Sequence, residues 1–333
     1  MNPDDRRPRV LFLSTGGTLG MRRGDPGPLA PSEIAADVLD YVRGLDADIA
    51  FDFEMLYNLD SSDIGPTHWD GIGTALAAKM NDYAGFVVLH GTDTMAFTAS
   101  ALSFMLVNLP RPVILTGAQR PLAYVRTDAP ENLVRAALCA VMDVAEVGVF
   151  FGRRLFRGNR VTKTSIQSYE AFESPNHAPL IEMGVEVIRT ALPRCAVGPF
   201  TLRPGFCQDV AVLQMVPGAH PRILEAAALS GQRGVLIRGF GSGNLPHTGW
   251  PEAIRAAVDA GVAVVLQSQC LRGKVNLESY VGGRAALDAG AMPASEMTYE
   301  AAVVKLMWLL GQGLSGEALR RAYRVDQAGE GAG

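Results

Sequence analysis

Two short segments of the chain combine hydroxyls, a carboxylate and glycines in a way that could support attack on a carbonyl carbon. Thr15-Gly16-Gly17-Thr18 directly follows a short apolar run. Its paired glycines let the backbone turn sharply and approach a ligand with no Cβ in the way. His90-Gly91-Thr92-Asp93-Thr94 follows a second apolar run, residues 86–89, and packs two hydroxyls around one carboxylate. Thr92 or Asp93 could simply cap the helix that follows. A hydroxyl nucleophile, however, needs a base within hydrogen-bond reach and a third group to orient that base. The carboxylate of this segment is one candidate, and a lysine from elsewhere is another. Lys163, flanked by Thr162 and Thr164, stands out, although a lysine so flanked can equally be a solvated strand residue. A free lysine titrates near ~10.4, so holding it neutral at pH 7 costs about 4.6 kcal/mol, and desolvation must oppose any nearby carboxylate.

Such residues need a scaffold that brings them together, and the surrounding pattern supplies one. Short β-rich apolar runs alternate with helix-periodic stretches: residues 9–14 then 31–45, residues 85–90 then 94–108, residues 112–116 then 131–143. That alternation marks βαβ units around a mostly parallel, doubly wound sheet, in which ligands bind beyond the carboxyl ends of the strands. Both hydroxyl-bearing segments occupy such a position. The expected organisation is a large N-terminal domain over residues 1–190, a Pro/Gly/Cys-richer linker over 191–209, and a smaller parallel α/β domain over 210–326. In the second domain, residues 210–215, 234–238 and 262–267 read as buried strands, and 300–310 and 316–323 as helices. The Gly/Ala-rich tail, residues 327–333, reads as disordered.

Composition closes off several function classes. With 333 residues, 30 Lys+Arg against 34 Asp+Glu and a formal charge of −4, the chain is globular and has no basic stripe with interleaved aromatics, so nucleic acid is not an expected partner. The polar residues 1–9 run into an apolar stretch too short for a signal segment or a membrane span, so a cytoplasmic location and no membrane association are expected. Cys139, Cys195, Cys207 and Cys270 are far apart, and the five histidines show no ligand spacing, so neither disulfides nor a catalytic metal or other cofactor is expected. Gly239-Phe240-Gly241-Ser242-Gly243-Asn244 lacks both the Walker lysine and the GxGxxG spacing, which argues against nucleotide binding.

Taken in order, TGGTLG, HGTDTMAFTASALSFM, LTGAQRP, RGNRVTKT, AFESPNHAPL and CLRGKVN resemble the bacterial-type L-asparaginases over residues 10–323. Asp60-Ser61-Ser62-Asp63 and residues 270–280 make the chain similar to the cytoplasmic type I branch. The resemblance implies hydrolysis of L-asparagine to L-aspartate and ammonia through a threonine β-acyl intermediate, in a dimer or tetramer with sites near the subunit interface. It assigns Thr18 as the nucleophile and Thr92, Asp93 and Lys163 as a second, base-like group. Asp60, Ser61 and Ser62 fall where the family holds the α-amino and α-carboxylate groups, Ala118 falls beside the scissile amide, and Asn244 falls where a neighbouring subunit meets the substrate.

The amides of Gly17 and Thr92 are candidate donors to the tetrahedral oxyanion, each worth about 3 to 4 kcal/mol. Many relatives place a tyrosine on the loop after the first motif, where this chain has Pro28; Tyr280 matches the position that mammalian cytoplasmic relatives use instead. Thr162, Arg238 and Cys270 match a region where some relatives bind asparagine allosterically. Two rival readings remain: a broader amidase acting on glutamine, D-asparagine or peptide-linked asparagine, and an inactive asparagine-binding sensor.

Overall fold

A computed structural model describes residues 7–17, 21–23, 29–31 and 49–331. The chain divides into two compact units, Met1–Arg203 and Pro204–Gly333. In the first unit five strands run parallel: β1 (Arg9–Gly16), β2 (Ala50–Leu59), β3 (Gly85–Leu89), β4 (Val113–Thr116) and β5 (Val147–Phe151). Three more, β6 (Arg154–Arg157), β7 (Ile181–Met183) and β8 (Val187–Arg189), extend the sheet antiparallel. The order across the sheet is β8-β7-β6-β5-β4-β3-β1-β2. Helices α1 (Pro66–Ala78), α2 (Met95–Met105) and α3 (Ala129–Ala140) fall between successive parallel strands.

This topology is what aims the site. The chain leaves β1 for β2 on one side and then crosses to β3 on the other, so the strand order reverses between β1 and β3. A crevice opens at such a switch point, beyond the carboxyl ends of those two strands. Side chains alternate across a strand. One set, Val10, Phe12, Val87, Leu89, Ile114 and Phe150, packs with Leu133, Ala136, Ala137 and Ala140 of α3. The alternate set, Leu11, Leu13, Phe86, Val88, Val113 and Leu115, is equally buried, so the sheet centre is covered on both faces. That double cover is why β3 and β4 read as apolar runs in the sequence.

The second unit carries a smaller, all-parallel sheet in the order β9 (Val210–Gln214), β10 (Gly234–Gly239), β11 (Ala263–Ser268), β12 (Met292–Pro293). Its helices are α4 (Arg222–Leu229), α5 (Trp250–Asp259), α6 (Val281–Asp288), α7 (Tyr299–Gly311) and α8 (Gly316–Arg324). Val235, Ile237, Val264 and Leu266 form its core with Leu224, Trp250 and Ile254. The expected two-domain α/β architecture is the one observed. No helix among the described residues is long and apolar enough to cross a membrane.

Several expectations need correcting. Residues 210–215 do not form a buried strand, because β9 is a sheet edge and Val212 on it is exposed. Within residues 191–209, Thr201–Leu202 pairs antiparallel with Leu106–Val107, so part of that segment is integrated into the first unit. Of the tail, residues 327–331 are packed rather than disordered. Glu330 is buried against Lys305 and accepts hydrogen bonds from the amides of Gln327 and Ala328. The helix expected over residues 31–45 lies outside the described residues except for Pro31, which ends a short strand, Leu29–Pro31, paired with Met21–Arg23. Residues 18 and 28 lie outside them as well.

Candidate active site

At the end of β1, Gly16 and the following Gly17 take φ values of +101° and +90°, a region that disfavours any side chain. The turn is also too tight for one. A Cβ on Gly17 would lie 2.4 Å from the Gly91 nitrogen, and one on Gly16 would lie 2.4 Å from Leu59 backbone atoms. The two hydroxyl-bearing segments therefore meet backbone to backbone across the switch point. The Gly17 amide donates to the Leu59 carbonyl at 3.0 Å, and the Thr15 hydroxyl to the Leu89 carbonyl at 2.9 Å, which ties this turn to its neighbouring strands. The Gly17 amide is thus already engaged in this conformation.

After β2 the chain enters a single turn, Ser61–Asp63, held by Asp60, whose Oδ1 accepts from the Ser62 amide and the Ser62 hydroxyl, each at 2.8 Å. Ser61 is buried against Gly91, and its carbonyl accepts from the Thr94 hydroxyl at 2.6 Å. Thr94, rather than Thr92 or Asp93, takes the N-cap position of α2. The capping explanation of Thr92 and Asp93 therefore fails, and their oxygens are available for other work.

Lys163 makes the decisive contact. It arrives on a two-residue strand, Thr162–Lys163, paired antiparallel with Phe172–Glu173. Its Nζ donates to Thr92 Oγ1 at 2.8 Å and to Asp93 Oδ1 at 2.6 Å. The Lys163 side chain is only 16% exposed while that of Asp93 is 69% exposed, so the pair straddles the boundary between protein and water. Thr92 is buried, and its hydroxyl donates to Gln119 Oε1 at 3.3 Å. Gln119 is a residue that the sequence reading passed over, although it stands next to Ala118 in the quoted LTGAQRP motif. Its backbone is fixed by Asp128, which accepts from the Gln119 amide at 3.0 Å and the Arg120 amide at 3.1 Å. Ala118, after β4, is buried.

His90 lies under this layer and is structural. Its Nδ1 donates to the Gly91 carbonyl at 2.7 Å, while Nε2 accepts from the Thr98 hydroxyl at 2.8 Å, which in turn accepts from Trp69 Nε1 at 3.1 Å. Full burial lowers its pKa to about 4, so the ring is a neutral spacer near pH 7.

Most of the remaining candidates lie in the second unit. Tyr280 is exposed and shares a cavity of about 360 Å³ with Phe240, Gly241, Ser242, Asn244 and Ser279. Asn244 Oδ1 accepts from the Gly283 amide at 3.2 Å, which joins the glycine-rich loop to the start of α6. Arg238 on β10 donates to Gln267 Oε1 at 3.2 Å and lies 4.8 Å from the Tyr299 ring centroid. Cys270 is exposed beyond β11, whereas Thr162 is buried in the first unit. Among the described residues no group of three or more His, Cys, Asp or Glu is arranged to hold a metal.

The family of this chain follows from comparison with known proteins. Residues 9–193 match the family model described as Asparaginase, N-terminal, and residues 209–323 match the Glutaminase/Asparaginase C-terminal domain. The chain is 39% identical over 328 residues to L-asparaginase 1 of Escherichia coli (strain K12), covering 96% of this chain and 97% of that one. Among solved structures it is similar to L-asparaginase I from Vibrio cholerae O1 biovar eltor str. N16961, with a TM-score of 0.90 and 37% identity over 98% of this chain and 99% of the other. The thermostable L-asparaginase from Thermococcus kodakarensis superimposes with a TM-score of 0.91 at 35% identity, over the same shares of the two chains. Matched along nearly its whole length by sequence and by fold, the chain belongs to the L-asparaginase family, with type I enzymes among its relatives.

Proposed function

We propose that this protein is a cytoplasmic, homo-oligomeric L-asparaginase that hydrolyses the side-chain amide of L-asparagine to L-aspartate and ammonia. The observation that carries the reading is the Lys163, Thr92 and Asp93 group at the sheet's switch point, with one lysine donating to a buried hydroxyl and a largely exposed carboxylate. A structural ion pair does not need a buried threonine at its centre. A proton relay does.

In the proposed reaction the Thr18 oxygen attacks the amide carbon of asparagine, and the amide Gly17 and Thr92 N–H groups receive the developing oxyanion. Gly17 must release the Leu59 carbonyl to do so. The carbon–nitrogen bond breaks and ammonia leaves with the proton taken from Thr18. Water, its proton accepted through Thr92 and Lys163, then attacks the ester, and the proton returns to Thr18 as aspartate departs. In the observed polarity Lys163 donates to Thr92 and Thr92 donates to Gln119, so no proton of the Thr92 hydroxyl points at the lysine. For Lys163 to accept a proton, its amine must present a free lone pair and the Thr92 hydroxyl must turn from Gln119 toward it, so Gln119 holds the resting orientation.

Asp60, Ser61 and Ser62 provide an anion and short donors for the α-ammonium and α-carboxylate, which lie on one carbon of the substrate. Asp93 assists with the ammonium, and Ala118 leaves room beside the amide. Tyr280 supplies the phenol that Pro28 cannot, and Asn244 completes the pocket from a neighbouring subunit. The test is ammonia release from L-asparagine, L-glutamine and D-asparagine side by side. Turnover of L-asparagine foremost is expected. Turnover of glutamine or D-asparagine at equal efficiency would move the assignment to a broader amidase, and binding with no ammonia would make the protein a sensor.

A further inference from the structure

A second cavity, of about 380 Å³, opens in the first unit and is lined by Gln119, Arg120, Arg126, Ile166, Gln167 and Tyr169. We propose that it binds a small dianion, and that its occupancy sets the orientation of the Gln119 amide and through it the Thr92 hydroxyl. The charge pattern is the first support. Among the described residues, two arginines and no carboxylate line this cavity, and neither arginine has an ion-pair partner. The carboxylates nearby in the chain are committed elsewhere: Asp128 accepts the Gln119 and Arg120 amides and Asn132 Nδ2, and Glu170 pairs with Arg153 at 3.2 Å. Guanidinium groups stay charged and present planar forks that match carboxylate or phosphate oxygens. An anion between them relieves their mutual repulsion.

The walls are also built to hold a shape. Arg120 lies 5.7 Å from the Tyr124 ring centroid, and the Tyr169 hydroxyl donates to the Arg126 carbonyl at 2.7 Å, joining the two sides. Ser165 Oγ accepts from the Gln167 and Ser168 amides, which closes the turn that carries Ile166 and Gln167. Gln119 connects this turn to the catalytic group. Its Nε2 donates to the Ser165 and Ser168 carbonyls at 3.3 and 3.1 Å, while its Oε1 accepts from Thr92. A ligand drawing Arg120, Arg126 and the 165–169 turn together fixes Gln119 in its resting hydrogen bonds and resists the Thr92 reorientation that the proposed reaction needs. The expected ligand has two oxyanionic charges and no ammonium group, as in a dicarboxylate or a phosphate.

The coupling rests on the asparaginase reading, whereas the binding does not, so the experiment reads them separately. Calorimetric titration of the intact protein with inorganic phosphate, with succinate and with chloride as control should show one dianion per chain. Preference between the first two identifies the source. The variant Arg120→Gln/Arg126→Gln should bind at least about tenfold more weakly while keeping its unfolding midpoint and basal ammonia release. Saturating dianion should lower kcat on asparagine in the parent and leave the variant unaffected. If the variant fails to fold, protection of Arg120 and Arg126 from phenylglyoxal by the dianion, read by peptide mass spectrometry, replaces it. No saturable binding of either dianion at millimolar concentration, or binding undiminished in the variant, overturns the site. Binding with unchanged kcat overturns the coupling, and a protein that binds the dianion but releases no ammonia counts against the asparaginase reading alone.

Discussion

At the scale of single residues, the account depends on Lys163, Thr92 and Asp93 acting as one unit. Groups that act together lose their effect together. Lys163→Met and Thr92→Val should each lower kcat/KM for asparagine by roughly 10² to 10⁴, and the double variant should be little worse than the more damaged single one. Losses that add on a logarithmic scale would mean that the 2.8 Å contact between Lys163 and Thr92 carries no shared step. This contact was only partly legible in the sequence. The residue types were visible, but the two lie 71 positions apart and meet only because a short antiparallel pair delivers Lys163 to the end of β3. Gln119 was missed for a related reason: an amide next to an alanine in a quoted motif carries no signal of its own until the Thr92 hydroxyl is seen to point at it.

At the scale of elements, His90 ties β3 to α2 and has a measurable signature. Its folded pKa, about 4, lies below the ordinary value of 6.5 because the ring is buried and neutral. Between those values the unfolded chain binds a proton that the folded chain refuses, so stability rises with pH through this window and is lost as pH falls from 6.5 toward 4. The loss amounts to roughly 3 kcal/mol at about 1.4 kcal/mol per unit. Urea unfolding of His90→Ala should show lower stability at pH 7 but a slope between pH 6.5 and 4 shallower by one proton. An unchanged slope would remove His90 as its source. The strand and helix pattern itself was largely readable from the sequence: β1, β3, β4, β10, β11, α2, α3, α7 and α8 all fall on the expected runs. β2 was not, because as a sheet edge it exposes Asp52 and Glu54, paired with Arg9 and Lys79, and its apolar signal is diluted. β9 was found but misjudged as buried for the complementary reason: Val and Leu on an edge look like Val and Leu in a core.

At the scale of the whole molecule, the packed residues 327–331 show how composition can mislead. Gly and Ala suggest a loose tail, yet Glu330 and Lys305 are both almost fully buried, with Nζ 2.5 Å from Oε1 and 2.8 Å from the Val325 carbonyl. Removing one partner strands the other charge, so Glu330→Gln should cost about 3 to 5 kcal/mol by urea unfolding, while Lys305→Met/Glu330→Leu should recover much of it. An unchanged midpoint in Glu330→Gln would show that this segment does not hold the second unit together. Assembly is tested through Tyr280. If its phenol serves a neighbouring subunit, Tyr280→Phe and Thr18→Ala proteins, each inactive alone, should regain activity when their subunits exchange. No recovery after proven exchange would confine Tyr280 to its own chain. Above all of these stands the claim that a threonine ester carries the reaction, and the most direct measurement is ammonia release and asparagine binding by the Thr18→Ala protein. The account requires almost complete loss of turnover, with the fold intact and asparagine still bound; release of ammonia at the parent rate would contradict it.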